Sequence, residues 1–402
     1  MLGEPVRPKV KGSGSVATPL EGGRLNNIDA LRGVAALAVA ISHVYQQFYA
    51  EQSDSILHEL LSWGGRWGVV VFFVLSGFCI HLPHAERKRA SAKAGGVAKL
   101  DIADFVIQRF LRIIPPYWLS LGVSLVLGAI AKTDLLNGST YWGDVLVHIL
   151  GVHGFFPNCL WSINSVFWSI GIEIHFYVMY IFFANRPFKL YVAAALMGCG
   201  LFVYGAFSAA LPLDDPWRTI GAHLFITAFW QWYLGAWLAE IYVKYKSRFV
   251  GPTVIVYATR CSVVALSFLI ALVDPTVFKL HIMQWIFPFL CLLMVALFLI
   301  NGRKTGGLVS SWLVHLGDMS YSLYLVHPLA IWIFVMLPPT SGPAWIWRGG
   351  FSLIVSILFA SIGYQVVEKP LLLWRRSLRE PSRGATAAES GGASAKRRVE
   401  NP

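Results

Sequence analysis

Apolar residues fall into ten long runs separated by short polar stretches. The runs cover about 27–49, 63–83, 113–131, 160–184, 189–211, 219–243, 253–273, 281–300, 320–338 and 346–367. A helix that crosses a bilayer needs about 20 mostly apolar residues, and each run is of that order. The pattern predicts an all-α, polytopic membrane protein with about ten transmembrane helices. Between the third and fourth runs, Tyr141–Pro157 is semi-polar and carries His148 and His153. It is too short and mixed to span, and reads as an interfacial or re-entrant segment. Residues 1–24 are rich in Gly, Pro and basic residues, lack the apolar core of a signal peptide, and are expected to form a disordered basic tail. The membrane domain is expected over 25–372, followed by a basic, mostly disordered tail over 373–402. No 20–50-residue repeat and no inverted repeat stands out.

Composition narrows the class. The chain has 402 residues, 56% of them hydrophobic and 13% charged. Soluble domains run about 45–50% apolar and about 25% charged, so a disordered chain, a disulfide scaffold and an ordinary soluble enzyme are excluded. The net charge of +12 would suit nucleic acid if it sat on a solvated basic domain, but the apolar bulk leaves little room for one. No nucleic-acid partner is expected.

The positive charges report orientation instead. With the N-terminus placed in the cytoplasm, 26 of the 33 Lys and Arg fall in cytoplasmic segments. Only Arg66, Lys132, Arg218, Lys279 and Arg348 fall on the other side. Arg32 and Arg260 lie within or at the ends of runs. So uneven a split over ten alternations supports ten spans with both termini cytoplasmic. The five cysteines form no CxxC and read as free thiols; no metal site is expected.

Ionisable groups inside a membrane cost roughly 2.5–3.5 kcal/mol on insertion scales, so they mark candidate function. The first run carries Asp29, Arg32 and His43. Arg32 and His43 are eleven residues apart, three helical turns or about 16 Å, and share a face. Asp29 is placed to pair with Arg32. A helix-end ion pair plus a hydrogen-bonded histidine accounts for the same stripe. Arg109 and Arg112 share a face before the third run, and Pro115-Pro116 is expected to disturb the helix there. Guanidinium pairs suit phosphates, although simple anchoring at the cytoplasmic face needs them as much. The fourth run carries Ser169, Glu173 and Tyr177, with His175 on a different face. A buried carboxylate there must be paired or protonated. The ninth run is unusually polar, with Tyr321 and with His327-Pro328, which suggests a local break near a cavity.

Six stretches together resemble the membrane acyltransferase-3 family, the integral-membrane O-acyltransferases. Asn27-Ile28-Asp29-Ala30-Leu31-Arg32-Gly33 with His43 is similar to the family's opening motif and its Arg-x10-His element. Phe72-Phe73-Val74-Leu75-Ser76-Gly77-Phe78 is similar to the second-span motif, and Arg109-Phe110-Leu111-Arg112 to the Arg-x-x-Arg element. Phe167-Trp168-Ser169 through Glu173-Ile174-His175-Phe176-Tyr177 follows the fourth-span pattern. Tyr321-Ser322-Leu323-Tyr324-Leu325-Val326-His327-Pro328 follows the ninth, and Glu368-Lys369-Pro370 the closing motif. The order is that of the family over nearly all of 25–372. Many members have Glu-Glu-Gln where this chain has Glu173-Ile174-His175, so only the first carboxylate carries over. Some members append a periplasmic esterase-like domain; the stand-alone type is expected here.

The resemblance implies transfer of an acyl group, by default acetyl, from cytoplasmic acyl-CoA. The acceptor is a hydroxyl of an extracytoplasmic glycan or glycoconjugate, and the protein sits in the cytoplasmic (inner) membrane. Arg32, Arg109 and Arg112 are then the expected acyl-CoA-binding residues. His43 is the expected catalytic residue, as general base or as a nucleophile carrying a transient acyl group. Asp29 lies fourteen residues from His43, about 21 Å along a helix, so it serves Arg32 instead. An orienting partner for His43 must come from another span, and Glu173 is favoured over Ser169 and Tyr177. Tyr321 and His327 are expected to be structural or orienting. The competing reading is a proton-coupled transporter or exporter of a small or glycosidic solute, which the buried His, Glu and Arg also fit.

Overall fold

The computed structural model describes residues 25–49, 55–131, 141–249, 253–269, 285–300, 308–338 and 344–377. The expected tails at 1–24 and beyond 377 lie outside these residues. Every regular element among them is helical. In chain order they are α1 (Asn26–Phe48), α2 (Ser55–Lys93), α3 (Ile102–Ile130), α4 (Tyr141–Ile149), α5 (Phe167–Phe183), α6 (Leu190–Ala210) and α7 (Pro216–His223). There follow α8 (Phe225–Tyr245), α9 (Thr253–Leu269), α10 (Phe287–Leu299), α11 (Leu308–Asp318), α12 (Ser320–Val335), α13 (Ala344–Gly363) and α14 (Lys369–Ser377). A π turn at Tyr364–Glu368 joins the last two.

Five helical stretches among the described residues are long and apolar enough to cross a membrane: Asn26–Phe48, Ile56–Lys93, Ile102–Ile130, Leu190–Ala210 and Trp347–Trp374. A sixth arises if α11 and α12, bent by 76° at their junction, count as one broken span. Three further apolar helices, including α5 and α10, are shorter.

Side-chain contacts fix the relative direction of the helices. Arg32 meets Ser320 and His43 meets His327, so α1 and α12 run parallel. Ile113 meets Tyr321 and Ser120 meets Leu325, so α3 runs with them. Ser76 meets Glu173 and Trp232, and His81 meets Tyr180 and Glu240, so α2, α5 and α8 run parallel to one another. Gly64 and Gly68 of α2 face Ala38 and Ala35 of α1 respectively, which makes the second set antiparallel to the first. Arg260 donates to the carbonyls of Leu297, Phe298 and Ile300, while Trp63 touches both Ser267 and Phe287, so α9 and α10 are antiparallel. The Arg260 guanidinium thereby satisfies the carbonyls left open at the end of α10.

Small residues let the central helices approach closely. A Cβ on Gly77 of α2 would overlap the Trp232 carbonyl, and one on Gly235 of α8 would overlap that of Val74. Around this crossing Trp67, Phe78, Phe176, Tyr180, Phe229 and Trp232 are buried.

Several boundaries differ from the sequence pattern. The helix of the second run continues to Lys93, and that of the third begins at Ile102 rather than 113. Most of the polar stretch between these two runs is thus helical, because Asn185 Oδ1 accepts from the Leu100 amide and Lys88 bonds Glu240, tying the extensions to the bundle. Pro115 and Pro116 lie inside α3 without ending it, and Pro328 lies inside α12. The break falls instead between α11 and α12. There a Cβ on Gly317 would overlap the Asp29 backbone, so α11 is pressed against the first turns of α1. The helix of the fourth run, α5, starts at Phe167, and the sixth run is split into α7 and α8 around Leu224. Tyr141–Pro157 forms α4 and a short 3₁₀ turn, His153–Phe155. Here burial pushes the Asp144 carboxyl up, but hydrogen bonds from His148 and Ser162 outweigh it and hold the group below its ordinary value.

Candidate active site

A cleft of roughly 950 Å³, its open mouth included, lies between α1, α2, α3, α5 and α12. Arg32, Arg109 and Arg112 line it, with Ser169, Glu173, Tyr177 and Tyr321. The structure therefore brings seven of the ten residues singled out in the sequence to one cavity. Ser76, Cys79, Ser320 and Tyr324 also line it. Of these, Ser76 had a readable signal, a polar residue inside an apolar span motif. Nothing in the pattern marks Cys79.

The three guanidiniums differ in their partners. Arg32 Nη2 donates to Ser320 Oγ at 3.0 Å, and Arg32 Nη1 lies 3.9 Å from Asp29 Oδ1. The anticipated Asp29–Arg32 pair is thus present, at the limit of ion-pair distance. Arg109 packs over the rings of Phe105 and Tyr177, with 5.7 and 5.9 Å to the centroids, and its Nε is buried without a hydrogen-bond partner. Neither Arg109 nor Arg112 has a carboxylate within ion-pair distance among the described residues. Buried positive charge without a counter-ion is costly unless an anion completes it. The donors fit a phosphate-bearing ligand, since guanidinium forks match phosphate oxygens.

Glu173 is the carboxylate of the cleft, and one of its oxygens is engaged twice. Its Oε1 accepts from Ser76 Oγ at 2.8 Å and from Tyr177 OH at 2.5 Å, one helical turn away. Ser169 Oγ donates to the Val166 carbonyl and meets Tyr324 OH at 2.6 Å. Tyr321 OH donates to the Ile113 carbonyl, tying α12 to α3. His175 turns away, its Nδ1 on the Gly171 carbonyl and its ring stacked on Phe225.

His43 lies past the cleft, at the other end of the shared α1–α12 face. Its partner is His327, not Glu173: His43 Nδ1 is 2.7 Å from His327 Nε2. Two turns separate His327 from Ser320, as three separate His43 from Arg32, so two parallel helices carry matching polar stripes. The contacts assign the tautomers. His327 Nδ1 lies 3.0 Å from the Leu323 carbonyl, which can only accept, so that nitrogen carries the proton. His327 Nε2 then has only a lone pair, and His43 Nδ1 must donate to it. His43 Nε2 is left with its lone pair, facing Gly65 of α2, where a Cβ would come to 3.9 Å. One nitrogen is thus held as a base or nucleophile by a relay that ends on a backbone carbonyl. Sequence spacing could not find this pair, because 284 residues separate its members. Tyr324 stands between cleft and pair, its ring edge-on to both Phe72 and His327.

A polytopic helical bundle with a guanidinium-lined cleft and, beyond it, a histidine held by a second histidine fits a membrane-bound group-transfer enzyme. A family model described as an acyltransferase domain matches residues 25–365, and the chain belongs to this family, acyltransferase-3. It is a membrane-integral O-acyltransferase. It is 27% identical over 328 residues to "Acyltransferase MdmB" of Streptomyces mycarofaciens, covering 77% of this chain and 79% of the relative. It is 23% identical over 381 residues to "Nodulation protein 10" of Rhizobium leguminosarum bv. viciae, covering 89% and 95%. No solved structure matches.

Proposed function

We propose that the protein crosses the cytoplasmic (inner) membrane about ten times, with both termini in the cytoplasm, and transfers an acyl group from cytoplasmic acyl-CoA to an extracytoplasmic hydroxyl. The acceptor class is a glycan or glycoconjugate, and acetyl is the default acyl group. The observation that carries this reading is the cleft itself. Three arginines line it, two of them with no carboxylate within ion-pair distance among the described residues, and His43 lies beyond it on the shared α1–α12 face. The arginine end is where the sequence concentrates positive charge, the cytoplasmic side under the charge rule. The alternating directions of α1, α2 and α3 agree with that placement.

In this reading Arg109 and Arg112 hold the phosphates of acyl-CoA, and Arg32 closes the mouth. The thioester is carried along the α1–α12 face toward His43. His43 Nε2 takes the proton of the acceptor hydroxyl as its oxygen attacks the thioester carbonyl carbon. The carbon–sulfur bond breaks, and the proton passes to the departing thiolate. His327 keeps His43 in the competent tautomer and steadies the charge that develops on it. Glu173, held by Ser76 and Tyr177, supplies negative charge beside Arg109 and keeps the cleft wall in place.

The test is direct. Purified protein in lipid nanodiscs should bind radiolabelled acetyl-CoA, and His43→Ala should retain binding while losing transfer. A protein that transfers no acyl group but moves a solute would be a carrier, and would have no need of acyl-CoA. Mass spectrometry of surface glycans from cells with and without the gene then identifies acyl group and acceptor.

A further inference from the structure

The acceptor-side end of the molecule carries an aromatic cluster that the transfer chemistry does not use. Trp161, Trp168 and His223 meet edge to face, with ring centroids 5.8 Å apart for Trp161–Trp168, 5.0 Å for Trp161–His223 and 4.9 Å for Trp168–His223. Trp161 remains 45% exposed. His223 Nδ1 donates to the Thr219 carbonyl at 2.8 Å, which leaves Nε2 as a hydrogen-bond acceptor. Arg66 of α2 is exposed and directly follows Gly65, the residue that His43 Nε2 faces.

The segment that presents Trp161 is built for the purpose. Ile163 holds a left-handed backbone conformation, φ 59°, which a β-branched residue adopts only when its surroundings force it. Asn164 pins the corner, its Oδ1 accepting from the Val166 amide and its Nδ2 reaching Ser124 of α3. Ser162 Oγ donates to Asp144 Oδ1. Strain fixed from three sides folds Trp161 back over Trp168.

The cluster flanks the reacting histidine on two paths. Trp168 precedes Ser169, which bonds Tyr324, whose ring meets His327, the partner of His43. On the other side His43 Nε2 faces Gly65, and Arg66 follows directly. An exposed indole face, one acceptor nitrogen and one donor guanidinium complement a ring with an apolar face and a rim of hydroxyls.

Resting on the acyl-transfer reading above, we propose that Trp161, Trp168, His223 and Arg66 form the acceptor subsite and take a hexopyranose ring. The ring stacks on Trp161, and its hydroxyls bond His223 Nε2 and Arg66.

The test uses full-length protein in lipid nanodiscs with radiolabelled acetyl-CoA as donor. Acceptor probes are octyl pyranosides of glucose, galactose, mannose and rhamnose, with 1-octanol as the sugar-free alcohol. Trp161→Ala should raise the KM for the accepted pyranoside about tenfold, as loss of an aromatic anchor does. The KM for acetyl-CoA and the rate with 1-octanol should stay unchanged, and Trp161→Phe should recover part of the loss. Arg66→Gln, at an exposed position, should also raise the pyranoside KM. An unchanged pyranoside KM in both variants, or an equal loss with 1-octanol, overturns the subsite. So does failure of a wild-type protein that binds acetyl-CoA to acylate any of the pyranosides. Failure to bind acetyl-CoA would instead remove the acyl-transfer reading on which the subsite rests.

Discussion

Two charged clusters sit in the same half of the bundle and have opposite character. Around Glu240 of α8 both carboxylate oxygens have partners. Its Oε1 accepts from Lys88 Nζ at 2.9 Å and lies 3.3 Å from His81 Nε2, and its Oε2 accepts from the Phe188 amide at 3.2 Å. His81 Nδ1 in turn meets Tyr180 OH at 3.0 Å. Among the described residues neither Arg109 nor Arg112 has a carboxylate within ion-pair distance, and Arg109 Nε is buried without a hydrogen-bond partner. Both clusters place ionisable groups where lipid-like surroundings penalise them. The Glu240 knot closes on itself and ties α2, α8 and the segment after α5 together. The arginine cleft keeps a buried donor, Arg109 Nε, without a hydrogen-bond partner among the described residues. Satisfaction, rather than the amount of charge, separates scaffold from site.

That contrast can be broken or sharpened by substitution, and the largest effect is expected one step beyond the cleft. His43→Ala should lower kcat by about 10²–10⁴-fold, the usual contribution of a positioned base. Melting temperature and acetyl-CoA binding should stay close to wild type; full activity in the variant would remove the base from the scheme.

Arg109→Ala comes next. The KM for acyl-CoA should rise by about 10–100-fold, the loss of a charge-assisted contact worth ~1.5–3 kcal/mol. Stability should hold or increase, because the variant discards an unpaired buried charge. A rise confined to the acceptor KM would place the arginine on the wrong substrate.

His327→Leu should reduce kcat about tenfold or more with little change in either KM, and His327→Gln should restore part of it. The amide can accept from His43 Nδ1 and donate to the Leu323 carbonyl, which leucine cannot. Equal losses in the two variants would mean that packing, not the proton relay, is what His327 supplies.

The smallest effect on catalysis is expected from Glu240→Ala. It should cost about 2 kcal/mol of stability through the lost charge-assisted bonds, read as a lower melting temperature. The KM for acyl-CoA should not move. If it rises as far as in Arg109→Ala, the two clusters are one site and the contrast fails.

Much of this was legible along the chain, for a definite reason. Bilayer crossing imposes a length and polarity rule on each segment by itself, so ten apolar runs and their flanking charges can be read without any neighbour. The Asp29–Arg32 pair and the shared face of Arg32 and His43 follow from helical spacing alone. The gathering of Arg109, Glu173 and Tyr321 followed only through resemblance, since helical period says nothing about which spans touch.

What the local pattern could not contain is pairing across distance. It favoured Glu173 as the partner of His43, because an intramembrane carboxylate needs a partner and an intramembrane histidine needs an orienting group. The fold gives Glu173 to Ser76 and Tyr177, and His43 to His327. Likewise Pro115, Pro116 and Pro328 look like breaks but remain in continuous helix, where neighbouring helices hold the backbone. The true break, between α11 and α12, lies where Gly317 meets Asp29. Sequence by itself determined the class of protein, its apolar segments and the uneven spread of positive charge along the chain, because each depends on local polarity. Tertiary structure alone decided which buried charges are neutralised and which nitrogen of His43 is free, because each depends on residues brought together from distant helices.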